Sequence, residues 1–151
     1  MRLVIATAGR WKKGPERDLF EHFAKRITYP LELREIEEKK KLKPAALKAR
    51  EAELLLAQVS AGAVIVALHE GGKTLSSTAF AAKLGNWRDQ ARDVAFLIGG
   101  ADGLDDAVIK RADWVMGLGT MTWPHLLVRG MLTEQIYRAQ CILAGHPYHR
   151  E

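Results

Sequence analysis

The residues best suited to chemistry lie in the last third of the chain, between Phe96 and His149. The first group is Gly99-Gly100-Ala101-Asp102-Gly103. Glycines carry no Cβ, so a backbone rich in them can turn sharply and approach a ligand closely. The spacing is not the dinucleotide fingerprint G-x-G-x-x-G, and no phosphate-loop Lys-Ser/Thr follows. By itself the segment also fits a plain strand-to-helix turn. The second group is Gly117-Leu118-Gly119-Thr120-Met121-Thr122-Trp123-Pro124-His125. Its glycines and threonines expose backbone amides able to hold an adenine or a ribose, while a turn with Thr122 as helix N-cap is the plainer alternative. The third group is the tail His146-Pro147-Tyr148-His149-Arg150. Chain ends usually fray. This one offers a ring that can stack on a base, two imidazoles and a guanidinium. Cys141, His146 and His149 lack paired-cysteine spacing and a fourth ligand, so no metal is expected there. Arg129 stands close to the glycine segments, where it can hold a phosphate or carboxylate, or form a salt bridge.

These groups need elements to position them. Residues 2–8, 31–37, 63–68, 94–98 and 114–116 read as strands from their apolar or alternating patterns. Residues 15–27, 44–60, a segment capped by Ser76 or Ser77 and running to about Trp87, 104–111 and 124–144 read as helices. Pro15, Pro44 and Pro124 open three of these helices, and Gly145 is the expected C-cap of the last. Strands alternating with helices imply an α/β domain with a mostly parallel sheet and helices on both faces. In such sheets ligands sit outside the carboxyl ends of strands. That rule selects the loops 69–73, 99–103 and 117–123. The last helix is apolar over an arc wide enough to suggest a subunit interface. Glu134 and Arg138 are spaced to pair along it.

The bulk properties bound the reading. A chain of 151 residues fits one domain spanning 1–151. Hydrophobic residues at 48% permit a real core. The apolar runs are too short to span a membrane. No secretory signal is visible and there is one cysteine, so the expected location is the cytoplasm. The net charge of +5 permits a polyanionic partner without demanding one. Lys39, Lys40, Lys41 and Lys43, with Lys12 and Lys13, are either RNA contacts or solvated loops.

Four ordered blocks carry a resemblance: residues 96–103, 120–125, 134–139 and 146–150. Together with residues 64–68, Gly72-Lys73 and Ser76-Ser77 they resemble the RlmH family of SPOUT methyltransferases, and the likeness runs through essentially the whole chain. The resemblance implies a single-domain SPOUT fold with a C-terminal trefoil knot. It implies a homodimer that binds S-adenosylmethionine and methylates N3 of a pseudouridine in 23S (large-subunit) ribosomal RNA within the assembled ribosome. Carried over by position, Leu68, Gly100, Gly119, Thr120, Met121, Thr122, Trp123 and Pro124 would contact the cofactor. Tyr148, His149 and Arg129 would carry the chemistry or hold nearby phosphates. The chain departs from the family at Gly117 and Gly119, where serines are usual, and at His69, where an acidic residue is common. The alternative function is a non-catalytic RNA- or ribosome-binding protein of the same fold. A flavodoxin-like nucleotide-binding protein fits only the first glycine segment.

Overall fold

The computed structural model describes residues 1–150. Strand β1 (Leu3–Ala8) is apolar apart from Thr7, and alternate side chains leave it in opposite directions. Leu3 and Ile5 enter one apolar cluster, Ala6 and Ala8 another. The same division runs through β3 (Val64–Lys73) and β4 (Val94–Ile98). Val64, Val66, Phe96 and Ile98 face the first cluster; Ile65, Ala67, Ala95 and Leu97 face the second. Strands covered on both faces must be apolar on both, which explains their uninterrupted runs. With β2 (Leu31–Ile36) and β5 (Trp114–Met116) they form one sheet in the order β2-β1-β4-β3-β5, and every pairing is parallel.

Helices α1 (Pro15–Ala24), α3 (Ser77–Asp89) and α5 (His125–Ala144) cover the first face through Phe20, Phe80, Leu84, Leu132 and Ile136. Helices α2 (Pro44–Leu56) and α4 (Asp106–Arg111) cover the second through Ala52, Leu55 and Val108. Ser76 caps α3 by accepting from the Ala79 amide, and Asp105 caps α4 by accepting from the Ala107 amide. Gly145, at φ 70°, ends α5 in the left-handed conformation. No helix among the described residues is long and apolar enough to cross a membrane.

One expectation needs correction and another gains a second basis. The segment 69–73 is not a loop: β3 continues through it to Lys73, with a register shift between Leu68 and Lys73 in its pairing with β5. The broad apolar arc of α5 has a source inside the chain. This helix packs between α1 and α3 on one face of the sheet, so part of its apolar surface is covered within the chain.

Candidate active site

Because β4, β3 and β5 are neighbours in the sheet, their carboxyl ends lie side by side. A cleft of about 690 Å³ opens there. Its volume lies within the range of small-molecule sites, roughly 300–1,000 Å³. Leu68, Ile98, Met116 and Leu118 form an apolar floor, and the segments 99–104 and 118–125 form the walls.

The walls are held by close backbone contacts and by side-chain ties. A Cβ on Gly99 would lie 2.5 Å from the Gly103 carbonyl carbon, and one on Gly72 would lie 2.6 Å from that of Met116. Only glycine permits either approach. Thr122 donates from Oγ1 to Glu70 Oε2 at 2.9 Å, joining the loop after β5 to the end of β3. Trp123 Nε1 donates to the Leu118 carbonyl at 3.1 Å and closes that loop. Thr122 is therefore not the N-cap of α5. The residue before that helix is Pro124, and no side chain caps it.

Two titratable groups at the cleft have displaced pKa values. Burial, and then the Arg129 charge, lower that of His125, so its imidazole is neutral at neutral pH. Burial, and then Asp102, raise that of Glu51, whose carboxylate stands beside Gly100.

The family model described as "Predicted SPOUT methyltransferase" matches residues 1–149. The chain belongs to the SPOUT methyltransferase family. It is 59% identical over 151 residues to the ribosomal RNA large subunit methyltransferase H of Rhodospirillum centenum, covering 99% of both chains. It is 56% identical to the protein of the same name from Paramagnetospirillum magneticum, again over 99% of both. Among solved structures it superposes on a probable methylase family protein from Haemophilus influenzae with a TM-score of 0.60 at 10% identity, covering 99% of this chain and 70% of that one. It also superposes on the SpoU methyltransferase AviRb of Streptomyces viridochromogenes, solved with its cofactor AdoMet. There the TM-score is 0.51 at 12% identity, covering 92% and 58%. These last two likenesses concern the fold.

Within this SPOUT chain the residues expected at the cofactor converge. Leu68, Gly100, Gly119, Met121, Thr122, Trp123 and Pro124 all line the cleft. Thr120 belongs to the same loop but is exposed and takes no part in the wall. The three residues expected to do chemistry are elsewhere. The Arg129 side chain is fully buried. Its Nη2 donates to the carbonyls of Ala8 and Gly9, both at 3.0 Å, and its guanidinium lies 4.6 Å from the Trp11 ring centroid. Its Nη1 is 3.6 Å from Glu35 Oε2. A guanidinium enclosed in this way does not reach a phosphate, which corrects the expectation. Arg129 ties α5 to the end of β1.

Tyr148 and His149 lie against the far half of α5. The Tyr148 hydroxyl donates to Glu134 Oε1 at 3.0 Å, and the ring is edge-on to Tyr137 and beneath Arg138. Arg138 and Glu134 pair at 2.6 Å, as their spacing suggested, and Arg138 Nη1 is 3.2 Å from His149 Nδ1. Burial, then the bond to Glu134, raise the Tyr148 pKa. Its phenol therefore keeps its proton at neutral pH and is unsuited to act as a base. Sequence reasoning placed His125 and Glu70 inside candidate segments without giving either a role, and missed Lys48; all three line the cleft. The signal for His125 was available: it directly follows the Pro124 that opens the last helix.

Proposed function

We propose that this protein is an S-adenosylmethionine-dependent methyltransferase acting on N3 of a pseudouridine in large-subunit ribosomal RNA. The observation that carries this reading is the cleft at three adjacent strand ends, in a chain 59% identical over its length to a protein named for that RNA.

The residues present fit the cofactor. The amides of residues 118–123 make no hydrogen bond among the described residues, so they are donors in want of acceptors. Such groups suit the hetero atoms of an adenine and the hydroxyls of a ribose. Leu68, Ile98 and Met116 offer apolar contact for the ring. Gly100 and Gly119 each line a wall of the cleft without adding a side chain to it. When bound, S-adenosylmethionine supplies an electrophilic methyl group on a sulfonium.

The protein's own work is then alignment and proton handling. The nucleophilic nitrogen of the base must lose its proton as it gains the methyl group. The neutral imidazole of His125 stands in the cleft and can accept that proton. Glu70 and Thr122 fix the loop that forms one wall of the site. In this reading the protein is a homodimer, and the tail, docked on the far half of α5, serves the cleft of the second copy. A trefoil knot in the C-terminal part of the chain, and a cytoplasmic location on assembled ribosomes, belong to the same reading.

Mass spectrometry of ribosomal RNA nucleosides from a strain lacking the gene tests the proposal. Loss of one methylated pseudouridine, restored by the gene, supports it. An unchanged set of modified nucleosides would sink it. Calorimetry with S-adenosylmethionine separates an enzyme from a binding protein that kept only the fold.

A further inference from the structure

Arginines and lysines are used differently in this chain. Every salt bridge among the described residues is made by an arginine, and none by a lysine. The lysines are instead concentrated at one end of the sheet. Lys12 and Lys13 follow β1, while Lys39, Lys40, Lys41 and Lys43 follow β2, and all six are exposed. Strands β1 and β2 are parallel and in register from Leu3 opposite Leu31 to Ala8 opposite Ile36. Both loops therefore leave the sheet at its carboxyl end, the end at which the cleft opens. Lys48, one turn into α2, lines the cleft itself and connects the two regions.

Most nearby carboxylates are held by groups other than the rim lysines, although Glu38 also interacts electrostatically with Lys40 and accepts from its amide at 3.1 Å. Glu37 is held by Arg10 at 3.0 Å, and Glu38 by Arg50 at 3.0 Å. Glu35 accepts from the Trp11 amide at 2.6 Å. These six lysines are adjacent or two apart in sequence on loops that follow neighbouring strands, and like charges closer than a Debye length of about 8–10 Å repel one another. A polyanion relieves that repulsion and releases its own condensed counterions. Lysine is a mobile point charge, suited to phosphates and unsuited to reading bases.

We infer that Lys12, Lys13, Lys39, Lys40, Lys41 and Lys43 form a phosphate-binding rim along which an RNA backbone runs into the cleft. The identity of the polyanion rests on the methyltransferase reading. The rim contributes affinity and register without sequence preference, and the cleft supplies the selection.

The test uses the full chain, a mixed-sequence 20-nucleotide single-stranded RNA and intact ribosomes. The variants are K12Q/K13Q and K39Q/K40Q/K41Q/K43Q. The control is K25Q/K110Q, which removes as much charge as the first but from the carboxyl ends of α1 and α4, at the opposite end of the sheet. Binding to the oligonucleotide is measured from about 0.05 to 0.2 M salt. Each contacting lysine lost should lower the slope of log K against log salt by about 0.7. The quadruple variant should then lose about 2–3 units of slope and at least about tenfold in ribosome affinity. Its affinity for S-adenosylhomocysteine should stay within about twofold of wild type, which also certifies the fold. The control should keep the wild-type slope.

The inference is overturned if the rim variants keep the wild-type slope, if the control loses as much, or if wild type binds neither RNA nor ribosomes. It is also overturned if the rim variants lose only their binding to vesicles of anionic phospholipid. A wild-type protein with a rim-dependent slope but no affinity for S-adenosylmethionine leaves the rim standing and removes the methyltransferase reading.

Discussion

Thr122 and Glu70 are fifty-two residues apart in sequence and joined by one hydrogen bond of 2.9 Å across the mouth of the cleft. Both residues are exposed, so the bond contributes little to global stability. Its effect falls on the loop. With T122V the segment 118–123 loses its tie to β3, and the cofactor must order it on binding. Calorimetry should show S-adenosylmethionine affinity reduced by about 3–10-fold, equivalent to about 0.5–1.5 kcal/mol. The urea midpoint should be nearly unchanged. Wild-type affinity in T122V would show that the loop is held by other means.

The glycines of the site differ sharply in what they tolerate. A Cβ on Gly99 would meet the Gly103 carbonyl carbon at 2.5 Å, with backbone on the other side of the clash. Neither chain segment is a flexible side chain, so G99A should fail to give folded protein or unfold at far lower urea. Gly119 has φ 102° but nothing within 4 Å of its added Cβ. G119A should therefore fold, with a strain cost of about 1–3 kcal/mol. Circular dichroism and urea titration on the two variants check the contrast.

Much of this was legible in the sequence, for identifiable reasons. The cleft-forming turns follow short apolar runs, and glycines mark where each run stops. Gly145 and Ser76 announce their helix ends through their own chemistry. The continuation of β3 through His69-Glu70-Gly71-Gly72 was not legible, because those residues have no strand propensity. Pairing with β5 imposes that conformation from a distance. The burial of Arg129 was hidden for a similar reason. A helix position shows an arginine, but not that the carbonyls of Ala8 and Gly9, at the end of β1, will come to lie beneath it. The placement of β4 between β1 and β3 is likewise a long-range fact.

Arg129 should matter for folding as well as for activity. Its buried guanidinium satisfies the carbonyls of Ala8 and Gly9 and packs on Trp11. R129M keeps the bulk but leaves those carbonyls and Glu35 without the cation. Removing one member of a buried charged network costs about 3–5 kcal/mol. The urea midpoint should fall accordingly, and R129K should rescue it only in part, because an ammonium lacks the planar fork. A variant as stable as wild type would mean that water replaces the guanidinium without loss.

His125 should make the protein acid-sensitive. Its pKa in the folded chain is held below the ordinary 6.5, first by burial and then by Arg129. Between the folded value and 6.5 the unfolded chain binds a proton that the native chain does not. Stability therefore rises with pH in that interval and is lost as pH falls below about 6.5. H125N lacks this dependence. Urea midpoints at pH 7.5 and 5.5 should drop more for wild type than for H125N. Glu51, whose raised pKa acts with the opposite sign, is common to both proteins and cancels in the comparison. Bound S-adenosylmethionine adds another positive charge to the cleft, so its affinity should fall over the same interval. Parallel pH profiles for the two proteins would remove His125 as the source.

The tail poses the sharpest question about assembly. Tyr148 is bonded to Glu134, nine residues along α5 from His125 at the cleft, or about 14 Å along the helix axis. Its chemistry is therefore remote from the cleft of its own chain. If the tail serves the cleft of a second copy, two defective proteins can repair each other. A chain ending at Gly145 keeps its cleft and loses the tail. G100W keeps the tail and fills the cleft, since even a Cβ at that position lies 3.2 Å from Glu51 Oε2. Neither homodimer should methylate ribosomes. Co-refolded together, about half the dimers are mixed, and each mixed dimer holds one cleft with one tail able to reach it. Methyl incorporation should reappear at roughly a quarter of the wild-type level, one working site among the four in every two dimers. Mass spectrometry of intact dimers establishes that exchange took place. Exchange without recovered activity would confine the tail to a structural role on α5.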